Sequence, residues 1–109
     1  MGFKICLVIL SIFILPVSAY ANGRVFPKEV VAVKIGNTGY VEIKFSENHE
    51  DPGECGASKG IFILPSHPGI SSMLSVALYA KASKSKLTAW INACEPDLGN
   101  VVYNLEVQE

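Results

Sequence analysis

Two cysteines, Cys55 and Cys94, bracket the only stretch of residues 22–109 that reads as helix, and they are the two of the chain's three that an exported chain would keep. The third, Cys6, falls in a segment laid out like a secretory leader. Lys4 supplies a positive start, Ile5 to Val17 an apolar run, and Ala19 and Ala21 the small residues of an A-x-A cleavage site. The competing reading is an N-terminal membrane anchor. A spanning helix wants roughly 20 apolar residues, whereas this run is shorter, carries Pro16 near its end and leads directly into the small-residue site. Residues 1–21 are therefore expected to be a cleaved signal peptide. Residues 22–109 are expected to form a single domain, secreted or periplasmic and without membrane attachment once the leader is gone.

A chain of this size buries roughly 60% of its unfolded surface and is marginal as a lone domain, so a covalent staple is expected. In an oxidising compartment two remaining cysteines admit one intramolecular pairing, Cys55 with Cys94. A metal site would need more ligands than the two cysteines and the scattered His49 and His67 supply, and a redox pair would more typically read C-x-x-C. No metal or other cofactor is expected.

The apolar pattern divides the chain into short elements. Glu29 to Ile35 (EVVAVKI) reads as a first strand, with Val31, Val33 and Ile35 on one face. Asn22 to Lys28 before it reads as a polar lead-in. Gly36 to Gly39 is a turn, and Tyr40 to Phe45 alternates, with Val41, Ile43 and Phe45 inward and Tyr40 outward. Ser46 to Lys59 is a long polar loop that carries Cys55. Gly60 to Leu64 (GIFIL) is a third strand, and its lack of alternation implies burial on both faces.

The helix begins near Pro65–Pro68, where Ser66 or His67 is placed to cap it. Ile70, Met73, Leu74, Ala77 and Leu78 then form one apolar stripe. Leu87 to Ala93 is a fourth strand that delivers Cys94. Asn100 to Val107 is a fifth, with Val101, Tyr103, Leu105 and Val107 on one face. Five short strands with a helix between the third and fourth is the order of an OB-like Greek-key barrel, in which closure removes exposed edges. The alternative is another five-stranded α+β meander with the helix on one face. Both are mainly β.

Cys55-Gly56, Ile61 to Leu64, Met73-Leu74 through Leu78-Tyr79-Ala80, and Lys86 to Ile91 leading to Cys94 resemble two groups of proteins. One is a set of small, uncharacterised secreted proteins of Gram-negative bacteria. The other, more distant, is the receptor-binding B subunit of subtilase-type cytotoxins. That second resemblance implies an OB-fold protomer, ring assembly and glycan binding, all carried by analogy of fold. No sugar-binding residue is transferred, because no motif of this chain matches one.

Charge narrows the partners. Nine Lys and Arg face ten Asp and Glu, and loss of Lys4 with the leader leaves a net charge of about −2. An OB barrel that holds nucleic acid does so through a basic groove with stacking aromatics; nucleic acid is not an expected partner here. A glycan or a protein is, and self-association is the further possibility.

No catalytic constellation stands out, and an enzyme is not expected. The acidic loop Glu47 to Glu54 lacks the spacing of a calcium loop and reads as a solvated surface. Glu50 or Asp51 could serve as a carboxylate pair with Glu95 or Asp97 only if the structure brought them together. Ser66 and His67 lack a nucleophile elbow. The tentative binding residues are Trp90, Thr88 and Asn92, all on the outward side if Leu87, Ala89 and Ile91 face the barrel, together with Tyr40. An outward Trp between polar neighbours can stack on a sugar or a partner protein; the competing reading packs Trp90 into the core. The first function expected is an exported binding domain. The alternative is a structural or envelope assembly protein, and a small carboxylate enzyme ranks last.

Overall fold

The structure, a computed structural model, describes residues 23–52, 54–56 and 58–108. The expected leader, residues 1–21, lies outside the described residues. The elements run β1 (Gly23–Ile35), β2 (Val41–Phe45), β3 (Gly60–Ile63), α1 (Ile70–Ser83), β4 (Lys86–Glu95) and β5 (Gly99–Gln108). The class is the one expected: mainly β, with one helix between β3 and β4 and a Cys55–Cys94 disulfide.

The strands close into a barrel in the order β1-β2-β3-β5-β4. Closure depends on the length of β1. Its first half pairs with β4, from Gly23 opposite Ile91 to Glu29 opposite Lys86, and its second half pairs with β2, from Val30 opposite Phe45 to Ile35 opposite Val41. A strand that serves two neighbours must bend, and β1 has a register shift in each half, between Val25 and Lys28 and between Val30 and Ala32. Such bulges add a residue, turn the strand and reorient the side chains that follow. The last seam is parallel, Ile61 opposite Asn100 and Phe62 opposite Val101.

The interior contains Val25, Val30, Val41, Ile43, Phe45, Ile61, Ile63, Leu87, Ala89, Ile91 and Val102. Each fully buried aliphatic chain among them contributes on the order of 2 kcal/mol relative to exposure. Helix α1 packs on the barrel through Met73, Ala77 and Ala80, and two alanines in that stripe let its backbone approach closely.

Several expectations are corrected, and most trace to bulges. The segment before Glu29 is not a lead-in: β1 starts at Gly23, and Pro27, which cannot donate to a ladder, sits inside the first bulge. Val31 and Ile35 are exposed, because Val31 is the extra residue of the second bulge and Ile35 lies at the barrel's end. Tyr103 is 44% exposed while Val102 is buried, since a register shift in the β4–β5 ladder leaves Tyr103 without an opposite residue. Leu78 is exposed because the helix seats on a stripe centred on Met73, Ala77 and Ala80, flanked by Ile70, Leu74 and Val76. Neither Ser66 nor His67 caps the helix; the cap is Gly69, and its N–H donates to His67 Nδ1 at 2.9 Å.

Thr88 is corrected as well. It faces the two residues of the β1 bulge, Phe26 and Pro27, and is fully buried, with no hydrogen-bond partner for its Oγ1 among the described residues. A buried hydroxyl with no partner costs about 1 to 3 kcal/mol. Thr88→Val, which keeps the shape and removes the hydroxyl, is expected to raise stability by about 1 kcal/mol. A lower urea midpoint for this variant would mean that the hydroxyl is in fact bonded.

Candidate functional site

Three connections meet at one rim of the barrel. The β1–β2 turn is tight: Gly39 donates to the Gly36 carbonyl at 3.0 Å and Gly36 to the Tyr40 carbonyl at 2.8 Å, with Gly39 at φ 96°, a conformation suited to glycine. The β3–α1 connection contributes Leu64, Pro65 and Ser66. The β4–β5 turn closes through a 2.9 Å bond from the Leu98 N–H to the Glu95 carbonyl. Between them lies a cleft of 540 Å³, lined by Asn37, Thr38 and Tyr40 from the first, Leu64, Pro65 and Ser66 from the second, and Glu95, Asp97 and Leu98 from the third. Its volume falls within the range of small-ligand sites, about 300–1,000 Å³.

Two contacts position the Tyr40 side chain in this cleft. Its ring lies over the Cα of Gly36, where any Cβ would overlap it. The ring also meets Phe62 edge-on, with centroids 5.8 Å apart, a favourable aromatic arrangement. Carboxylates, an amide and hydroxyls share the lining with apolar Leu64, Pro65 and Leu98. Among the described residues, no lysine or arginine lines it.

On the far side of Leu64 and Ser66 is a second hollow of 270 Å³. His67, Asn92 and Tyr103 line it, with Val101 and Val102 at its base. His67 holds this region together. Its Nδ1 accepts from Gly69, which leaves Nε2 to donate to the Tyr103 carbonyl at 3.2 Å. Both ring nitrogens are thereby engaged, and the β3–α1 connection is tied to β5.

The sequence-predicted residues therefore separate. Tyr40 lines the first hollow and Asn92 the second. Trp90 lines neither. It is half-buried on the outer face, where it lies across the β1–β4 seam from Arg24. The Arg24 guanidinium stands 5.4 Å from the Trp90 ring and 5.1 Å from the Phe26 ring. Cation–π contacts of this kind contribute roughly 0.5–1 kcal/mol at exposed sites, and here they stitch β1 to β4. Thr88, buried beneath the bulge, offers a ligand nothing.

The acidic residues also divide. Glu95 and Asp97 line the first cleft, whereas Glu50 and Asp51 serve the fold. Glu50 Oε1 accepts from Lys28 Nζ at 2.9 Å and from the Phe26 N–H at 3.0 Å, which holds the β1 bulge. Asp51 accepts from the N–H groups of Cys55 and Gly56 and from Asn100 Nδ2, at 3.0, 2.9 and 2.8 Å. For both carboxyls burial pushes the pKa up. Hydrogen bonds outweigh it and leave each below its ordinary value, Glu50 chiefly through Lys28 and Asp51 chiefly through Asn100. The loop is at the surface as expected, with Glu47, Asn48, Glu50 and Glu54 exposed, and it also serves as a clasp through Glu50 and Asp51. His49 completes it: the side chain is buried, its ring nitrogens lie against the carbonyl oxygens of Glu50 and Gly60, and the His49 backbone N–H donates to the Ser58 carbonyl at 2.8 Å. Among the described residues, no group of three or more His, Cys, Asp or Glu is placed to hold a metal ion.

Sequence reasoning overlooked Asn37, Thr38 and Leu98 as lining residues, along with the buried Asn100. The available signal was that both tight turns join strands meeting at one rim. Comparison with protein-family models, curated proteins and solved structures finds no match for this chain.

Proposed function

We propose that this chain is an exported, non-enzymatic carbohydrate-binding domain built on an OB-like barrel, and that its ligand sits in the cleft between the β1–β2 and β4–β5 turns. One observation carries the reading: Tyr40, fixed by Gly36 and Phe62, shares a 540 Å³ cleft with Asn37, Thr38, Ser66, Glu95 and Asp97. An aromatic ring offers a stacking surface for a sugar, and amide, hydroxyl and carboxylate groups answer its hydroxyls in both directions. The loops between strands 1 and 2 and between strands 4 and 5 are where OB barrels take up oligosaccharides and oligonucleotides. A lining free of lysine and arginine favours the former. The resemblance to toxin B subunits supports the same class of ligand.

Binding without catalysis is supported by the use already made of the reactive groups. Glu50 and Asp51 are structural acceptors, and both nitrogens of His67 are engaged. The disulfide suits an oxidising compartment, secreted or periplasmic. Trp90 takes a structural role beside Arg24, and Asn92 lies at the edge of the site. The alternative, a structural or envelope assembly protein, has the exposed Leu78 and Tyr79 of the outer helix face in its favour.

On a glycan array, Tyr40→Ala is expected to weaken binding roughly tenfold, the scale of one lost stacking contact, while Trp90→Ala leaves relative ligand preference unchanged. A protein that binds no glycan, and that self-associates in light scattering, would return the reading to assembly.

A further inference from the structure

Resting on the reading just given, we infer that the ligand is a linear, uncharged oligosaccharide that lies across both hollows, and not a single sugar or an acidic glycan. The two hollows share Leu64 and Ser66 as a common wall, and Ser66 is exposed. A chain molecule leaving the first can therefore cross this polar ridge into the second. Each hollow has its own aromatic ring, Tyr40 in the first and Tyr103 in the second, and its own amide, Asn37 and Asn92. This repetition of one platform and one amide suits a ligand that repeats as well.

Tyr103 owes its position to the β4–β5 register shift, which puts an unpaired residue on the outer face. Its backbone is held by His67, the residue next to the ridge. His67 thereby sets the spacing between ridge and second platform; it is a positioning residue.

Charge selects the ligand further. Among the described residues no lysine or arginine lines either hollow, and the first contains Glu95 and Asp97. A ligand carboxylate or sulfate would meet like charge there, and no lysine or arginine among the described residues lines the hollow to offset it. Sugar hydroxyls can donate to the same oxygens.

The test is titration of the full mature chain with neutral linear glucans, mannans, galactans and chitin fragments of one to six units, beside uronic-acid counterparts. Affinity is expected to rise roughly tenfold between one and three units, as a second stacking contact forms, and then level off. Uronic-acid chains are expected to bind more weakly. Tyr103→Ala, and separately Asn92→Ala, should abolish the gain with length; both side chains are exposed. If affinity is independent of length and both variants behave as wild type while Tyr40→Ala still loses binding, the inference falls and the proposed site stands. If no glycan of any length binds, or Tyr40→Ala has no effect, the proposed function itself is overturned.

Discussion

Reduction of the Cys55–Cys94 disulfide, or replacement of both cysteines by serine, is expected to lower the free energy of unfolding by about 4 kcal/mol. The two residues are 39 apart in sequence, and the cross-link removes the loop-closure entropy of that span from the unfolded ensemble. Small domains are stable by about 5–15 kcal/mol in total, so the loss is a large share. The position of the bond adds to its effect. It ties the loop before β3 to the end of β4, and Asn100, directly opposite Cys94 in the β4–β5 ladder, bonds to Asp51 of the same loop. Urea denaturation with and without reductant measures the difference; coincident curves would mean that the crosslink contributes nothing to stability.

Asp51→Ala is expected to cost about 2 to 3 kcal/mol, because it removes a charged acceptor shared by three donors. Asp51→Asn, which keeps one carbonyl oxygen, should cost less. The effect depends on pH with a definite sign. The folded pKa of Asp51 lies below its unfolded value, so the stability it confers is complete above the ordinary carboxylate range and declines as pH falls toward the lowered folded value. Glu50, lowered as well, contributes in the same direction. Wild type should therefore lose stability on acidification more steeply than Asp51→Asn. Parallel pH profiles would remove Asp51 from the account. The Cys55 N–H is one of the Asp51 donors, so the disulfide and Asp51 changes should combine to less than the sum of the two.

Much of the barrel was legible because its signals are local. Val41, Ile43 and Phe45 alternate into the core as their spacing indicates, and all four residues of β3 are buried as its unbroken apolar run indicates. Where the pattern misled, a bulge had changed the count of residues. Val31 and Tyr103 are apolar by composition and exposed by register; Thr88 is polar and buried because the β1 bulge lies opposite it. A bulge has no fixed sequence mark, and even Pro27, which lies in one, reads equally well as the end of a polar lead-in.

The candidate site was legible only in fragments. Tyr40 and Asn92 stood out as outward residues beside apolar strands, yet nothing local told that they would face two hollows divided by Leu64 and Ser66. Asn37 and Asp97 are ordinary turn residues until the barrel closes. Trp90, the most conspicuous residue of the sequence, is accounted for by Arg24, its neighbour across the β1–β4 seam and 66 residues away in the chain.

The sequence by itself determined the mainly β class, the order of the elements and the pairing of the two cysteines, because side-chain period and cysteine parity act over short range or by simple count. The tertiary structure alone decided which outward residues share a cleft and which carboxylates serve the fold. Those outcomes depend on β1 bending to pair with two strands and on β3 meeting β5, contacts that form only when distant segments close the barrel.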